Sequence, residues 1–155
     1  MPKTSAGLLL YRRVDGDFEV LLVHPGGPYW ARKDEGAWSV PKGEYDPGED
    51  PHEVARREFE EELGVAPPDA AAEPLGEIRQ SGGKVVTAWA QRGDLDVTDV
   101  HSNTFEMEWP PRSGRMQEFP EVDTAAWFAI EEARRKLNRG QLPFLDRLIG
   151  VVEED

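Results

Sequence analysis

Glu58, Glu61 and Glu62 stand three and four residues apart when counted from Glu58, so a helix would carry all three on one face. Carboxylates crowded in this way repel one another. A hard divalent cation relieves the repulsion, because Mg²⁺ takes oxygen ligands and keeps water positions open to substrate phosphates. Arg57, four residues before Glu61, can hold a carboxylate in fixed geometry. Upstream, Pro41 fixes the backbone ahead of Lys42, which puts a mobile cation beside the acidic face, suited to a polyphosphate. The competing reading is a solvated acidic surface, usual for a Glu-rich helix. Here the acidic face adjoins a glycine-containing loop and flanks an apolar stripe, which favours chemistry.

The element that must position these groups is a helix over 50–63. Pro47-Gly48 marks a turn, and Asp50-Pro51 supplies a cap residue and a first-turn proline, with Glu53 three residues after the cap. Ala55, Phe59 and Leu63 recur every four residues as the buried stripe, and Gly64 stops the helix.

Residues 43–65, read as Gly43, five residues, Glu49, seven residues, Arg57-Glu58-Phe59, one residue, Glu61-Glu62, one residue, Gly64-Val65, resemble the box of Nudix hydrolases. Those enzymes cut a nucleoside diphosphate linked to another group. The resemblance implies an α/β/α sandwich around a central mixed β-sheet. It implies that Glu58 and Glu62 are the main metal ligands, that Glu61 binds a further metal or activates water, and that the Gly43 carbonyl can join the metal shell. Glu49 and Arg57 take supporting roles. Nudix enzymes often add a carboxylate six residues before a tryptophan of the last strand; Glu121 stands six before Trp127, with Glu118 nearby. The run Trp38-Ser39-Val40-Pro41-Lys42-Gly43 is similar to the box approach of the diadenosine polyphosphate hydrolases.

Around the box, strands are expected over 4–11 and 18–23, joined by a turn at Asp15-Gly16-Asp17, then a glycine-rich loop over 24–36. Further strands are expected over 75–79 and 84–92, separated by Ser81-Gly82-Gly83, and over 125–130. The segment 93–117 reads as a long excursion holding one strand, 103–109. Helices are expected over 131–137 and 142–150, parted by Asn138-Arg139-Gly140. No repeat or composition break divides the 155 residues, so one domain over 1–155 is expected.

Trp127 and Trp89 lie in apolar runs and read as core. Trp30 and Trp109 sit beside loops with Tyr29, Arg112 and Arg115, where a base could stack on the indole and arginine could bind phosphate. His52 reads as exposed in the first helical turn, and no histidine spacing suggests a zinc site or nucleophile triad.

With no cysteine there is no disulfide framework or thiolate metal site. No signal-peptide pattern or long apolar span is present, so a soluble cytoplasmic protein without membrane contact is expected. A formal charge of −13 argues against nucleic-acid polymers as partners. Mg²⁺, with Mn²⁺ as substitute, together with Lys42, Arg32, Lys33, Arg112 and Arg115, would have to reverse that sign locally for an anionic substrate.

The leading expectation is therefore Mg²⁺-dependent hydrolysis of a nucleotide phosphoanhydride. Glu61, or a carboxylate near 118–121, acts as base, Lys42 and an arginine neutralise the leaving phosphate, and Trp30, Arg112 and Arg115 contact a small-molecule nucleotide. A dinucleoside polyphosphate is favoured, with a nucleoside triphosphate as the closest alternative and nucleotide sugars or dinucleotide cofactors behind it. A non-catalytic nucleotide sensor and an acidic scaffold are the readings from other classes. A monomer or a homodimer fits equally.

Overall fold

The computed structural model describes residues 3–80, 82–98 and 101–153. Ser81 of the expected 81–83 turn, residues 99 and 100 of the long excursion, and the ends of the 1–155 span lie outside the described residues.

Apolar runs of both periods build a mixed sheet. Strands β1 (Thr4–Val14) and β2 (Asp17–Pro25) form a hairpin whose two turn residues, Asp15 and Gly16, take φ of 52° and 88°. Positive φ at both turn positions matches the strand twist, which is why glycine follows aspartate here. Strand β3 (Lys42–Glu44) pairs antiparallel with β1; β4 (Ala72–Arg79) and β5 (Val85–Arg92) form a second antiparallel pair. β5 lies parallel to β1, and the last strand, β8 (Val122–Ala129), pairs antiparallel with β2, giving the order β4-β5-β1-β2-β8. A separate ribbon of β6 (Thr104–Glu108) and β7 (Met116–Pro120) stands off this sheet.

Both faces of the central strands are covered, so β1 and β2 read as nearly continuous apolar runs. Leu8, Leu10, Leu21 and Val23 face α1 (Pro51–Leu63) with its Val54, Ala55, Phe59 and Leu63. Leu9, Tyr11, Val20 and Leu22 face the opposite layer, α2 (Ile130–Lys136) and α3 (Leu142–Glu153), with Ala133, Phe144, Leu145 and Leu148. This is the expected α/β/α sandwich. Phe59 is fully buried, a contribution of about 1.5–3 kcal/mol.

Several expectations change. The excursion holds two strands rather than one, since β7 pairs with β6 in register from Thr104↔Pro120 to Glu108↔Met116. β3 went unanticipated because three residues, Lys-Gly-Glu, carry no periodicity. The break at 138–140 is part of a short 3-10 turn, Arg139–Gln141, capped by the Asn138 side chain. Trp89 and Trp127 pack half-buried at the edge of the α1-side core, whereas Trp38 is the buried indole, 8% exposed against Phe128 and His24. His52 is half-buried rather than exposed, because its ring packs on that of Trp89 in β5, 5.3 Å between centroids. No helix among the described residues is long and apolar enough to cross a membrane.

Candidate active site

Local signals set the helix that carries the carboxylates. The Asp50 side chain accepts the His52 N–H at 3.0 Å, Pro51 opens the first turn, and Gly64 closes the helix at φ 78°. The stripe Val54, Ala55, Phe59 and Leu63 docks on β1 and β2, and Glu62, beside it, is carried to 8% exposure. Glu58 and Glu61 lie at the rim of the same face, partly exposed.

The approach to the box is held from two sides. Gln141 Oε1 accepts the Val40 N–H at 3.0 Å, while the Pro41 carbonyl accepts from Leu8 N–H at 3.1 Å. Close passage of β3 over β1 requires Gly7, where a Cβ would stand 2.9 Å from the Pro41 carbonyl oxygen. Lys42 N–H then donates to Glu62 Oε2 at 3.3 Å. Gly43 leaves the Glu58 carboxylate its place: a Cβ there would lie 2.1 Å from Glu58 Cδ. Arg57 donates to Glu49 Oε2 at 3.1 Å and pairs with Glu58 at 3.6 Å, so the carboxylates it holds are these two rather than Glu61.

Glu121 arrives from the far side, between β7 and β8. Its N–H donates to the Asn103 carbonyl at 2.8 Å, and its own carbonyl accepts from Gly26 N–H at 2.9 Å. Glu118, in β7 opposite Glu106, is exposed and is not among the main charges that act on Glu58, Glu62 or Glu121.

Electrostatics tie these groups together. Burial pushes Glu62 up to about 8, against the opposing charge of Lys42 and its N–H, with Glu58 and Glu121 adding repulsion. Glu58 is raised by burial and then by Glu61, with Glu121 contributing further; Glu121 is raised by burial and by Glu61. Four carboxylates thus feel one another's charge. Lys42 is lowered, first by burial and then by the like charge of Lys84, which adjoins it from the turn before β5. Lys84 is a neighbour of Lys42 that sequence reasoning missed. Its only signal was a lone lysine after two glycines, and the parallel pairing of β5 with β1 is what brings it to Lys42.

The donor set is oxygen only, and a carboxylate as buried as Glu62 needs positive charge to stay ionised. Both features fit a hard divalent cation near Glu58, Glu61, Glu62, Glu121 and the Gly43 backbone. Among the described residues, no three acidic or histidine side chains already form a closed ligand group, so the convergence is one of charge rather than of finished coordination.

The aromatic and basic residues gather elsewhere. Trp30 is 40% exposed beneath the Lys33 ammonium, 5.0 Å from its ring centre. Tyr29 meets Trp109 edge-on at 5.2 Å, and Trp109 N–H donates to the Arg115 carbonyl, placing Arg112 and Arg115 at the exposed tip of the β6–β7 ribbon. At ~3.4 Å per residue, β7 separates that tip from Glu121 by roughly 20 Å. Arg112 and Arg115 therefore do not join the carboxylates, whereas Trp30 N–H donates to the Gly27 carbonyl at 3.3 Å, in the turn that starts at Gly26, the partner of the Glu121 carbonyl.

The NUDIX domain family model matches residues 1–148. Over 61 residues the chain is 39% identical to a bis(5'-nucleosyl)-tetraphosphatase [asymmetrical] of Caenorhabditis elegans, covering 39% of this chain and 40% of that protein. Over 63 residues it is 43% identical to an RNA pyrophosphohydrolase of Erythrobacter litoralis (strain HTCC2594), covering 37% of each. The matched part thus spans about two fifths of either relative. Among solved structures, a Caenorhabditis elegans Ap4A hydrolase binary complex shares the fold at TM-score 0.70 and 22% identity, covering 97% of this chain and 99% of that one. The NUDIX domain of Shewanella oneidensis NrtR complexed with ADP ribose follows at TM-score 0.69 and 17% identity, covering 98% and 89%. With the motif spacing carried on α1 and the sandwich built around it, this chain belongs to the NUDIX domain family.

Proposed function

We propose that this protein is a divalent-metal-dependent pyrophosphohydrolase that cleaves a phosphoanhydride in a nucleoside diphosphate derivative, with a dinucleoside polyphosphate as favoured substrate. The observation that carries the proposal is the convergence of Glu58, Glu61, Glu62 and Glu121 beside the half-buried Lys42 and its neighbour Lys84. A field of four carboxylates next to two ammonium groups suits a cation and a phosphate chain bound side by side.

On this reading Glu58 and Glu62 would be the principal ligands, and Glu61, Glu121 and the Gly43 carbonyl would offer further oxygens. Mg²⁺, or Mn²⁺ in its place, neutralises charge on the phosphoryl oxygens and acidifies the attacking water when bound. Glu61 orients that water and takes its proton as the new P–O bond forms, with Glu121 as the alternative base. The bridging P–O bond breaks on the other side, and Lys42 and Lys84 balance the charge left on the departing phosphate. Arg57 keeps Glu58 and Glu49 in place. No covalent enzyme intermediate is needed.

Substrate preference draws support from the Trp38-to-Gly43 approach and from the likeness to the tetraphosphatase over 61 residues. It also fits the distance of the aromatic and basic tip from the carboxylates. The cleaved phosphates sit at Lys42, and the second nucleoside of an extended ligand reaches Trp30, Tyr29, Trp109, Arg112 and Arg115. A mononucleotide would leave that tip untouched.

The test is phosphate and pyrophosphate release with Mg²⁺ from diadenosine polyphosphates, nucleoside triphosphates, ADP-ribose and a nucleotide sugar, comparing wild type with Glu62→Gln. Fastest turnover of a diadenosine polyphosphate, lost in the variant, is the expected result. Turnover unchanged by Glu62→Gln would overturn the metal-site assignment, and binding without turnover would replace the enzyme by a sensor.

A further inference from the structure

The segment between β5 and β6 contributes three consecutive residues, 101–103, with hydrogen bonds that run to α1 and to the start of β8. His101 N–H donates to the Leu63 carbonyl at 3.3 Å, and Asn103 N–H donates to the Glu61 carbonyl at 2.8 Å. These are carbonyls of the last turn of α1, which have no intrahelical partner. On its other side the Asn103 carbonyl accepts the Glu121 N–H at 2.8 Å. One residue's backbone therefore links the main chains of Glu61 and Glu121, two carboxylates distant in sequence.

Ser102 locks this link. Its hydroxyl oxygen accepts the N–H of the buried Val122 at 3.1 Å, and its proton is within reach of the Asn103 carbonyl at 2.9 Å and the Val122 carbonyl at 3.1 Å. Regular pairing of β8 with β2 slips at this point, between His24 and Pro25 opposite Val122, so Val122 N–H meets a side-chain acceptor where the ladder is interrupted. Gly64 lets the segment approach: a Cβ there would stand 2.5 Å from the His101 carbonyl oxygen.

We propose that Ser102 is a positioning residue, which through the Asn103 backbone fixes how far the Glu121 carboxylate stands from Glu61 and so sets the affinity of the acidic cluster for a divalent cation. This rests on the metal-hydrolase reading above and extends it to a residue that touches neither metal nor substrate. Removing the hydroxyl leaves Val122 N–H without its acceptor and frees the Glu121 turn to shift, while the fold on either side stays supported by β2 and α1. Threonine keeps the hydroxyl.

The test uses the full chain as Ser102→Ala, Ser102→Thr, Glu121→Gln and the double variant Ser102→Ala/Glu121→Gln. Mn²⁺ alone is titrated and followed by electron paramagnetic resonance, alongside diadenosine tetraphosphate turnover with Mg²⁺. Ser102→Ala is expected to weaken Mn²⁺ binding about tenfold and to lower kcat by a similar factor at nearly constant KM. Exchange of the Glu121 and Val122 amides should accelerate, and Ser102→Thr should restore all three. In the Glu121→Gln background, Ser102→Ala should change nothing further. Wild-type Mn²⁺ affinity in Ser102→Ala, with Glu121→Gln impaired, overturns the inference alone. So does an equal loss in both backgrounds, which would mean that Ser102 acts elsewhere. Wild-type affinity in Glu121→Gln overturns the inference together with the assigned role of Glu121. A protein that binds Mn²⁺ as expected but turns over no substrate leaves the positioning role supported and removes the hydrolase reading.

Discussion

At the residue scale, the site is defined by what is missing as much as by what is charged. Gly43 has no side chain, and the Glu58 carboxylate fills the space one would occupy, 2.1 Å from an ideal Cβ to Glu58 Cδ. Gly43→Ala must therefore expel the carboxylate or push β3 off β1. Displacement by about 1 Å can lower a rate by about 100-fold without touching the chemistry itself. The expected result is a loss of that order in kcat with a small change in Tm, measured by steady-state kinetics and thermal melting; kcat within twofold of wild type would refute the packing argument. Glu62 behaves in the opposite sense. It is 8% exposed with proton affinity raised by burial, so its charge opposes folding unless positive partners compensate. Glu62→Gln keeps the shape and removes the charge. In EDTA at pH 8 it should raise Tm, while turnover disappears. A lower Tm under those conditions would mean that Lys42 already compensates Glu62 in full.

At the element scale, α1 shows which parts of a fold are written locally. Cap, first-turn proline, four-residue stripe and stop all lie within fifteen residues, so the helix and its acidic face were legible before any tertiary contact was known. Strands β3 and β7 were not legible, for physical reasons. Lys42–Glu44 becomes a strand only because Gly7 lets it approach β1. Met116–Pro120 has no buried face, and its partner is β6 across a ribbon that stands off the sheet, so no alternation marks it. The site divides along the same line. Glu58, Glu61 and Glu62 follow from helical spacing, whereas Lys84 and the Ser102–Asn103 link depend on strand pairing across long separations. Gly64 belongs to both classes. Its φ of 78° is the readable stop signal, and the His101 carbonyl 2.5 Å from an ideal Cβ is the hidden one. Gly64→Ala should cost about 1–2 kcal/mol for the left-handed conformation and more for the contact. Chemical denaturation should register a total above 2 kcal/mol, together with faster exchange at the Asn103 amide. A loss below 1 kcal/mol would show that the 101–103 segment yields easily and holds nothing in place.

At the scale of the whole molecule, the raised carboxylates fix how stability depends on pH. Glu62 has an ordinary value of 4.5 and stands at about 8 in the folded protein. Between those values the folded chain keeps a proton that the unfolded chain has released, so stability is greatest below about pH 4.5 for this group and falls as pH rises toward 8. One such group sets a slope of at most about 1.4 kcal/mol per pH unit, and Glu58 and Glu121, raised in the same direction, add to it. Asp34, Glu49, Asp94 and Asp96 are lowered and act oppositely, but only below the ordinary carboxylate range. Lys42 is lowered as well, mainly by burial, and acts in the opposite sense: below its ordinary value of 10.5 the folded chain releases a proton that the unfolded chain keeps, so its share of stability rises with pH. A divalent cation competes with those protons, so its stabilisation must grow with pH. Melting in EDTA from pH 5.5 to 8.5 should show a falling Tm, and Mg²⁺ should raise Tm more at 8.5 than at 5.5. The formal charge of −13 also opposes folding through self-repulsion, but that part lies on the surface and is screened by salt. Repeating the series in 0.5 M NaCl separates the two contributions. A decline that survives salt and flattens in Glu62→Gln belongs to the buried Glu62, whereas a decline that salt removes belongs to net charge and leaves Glu62 without a measurable share.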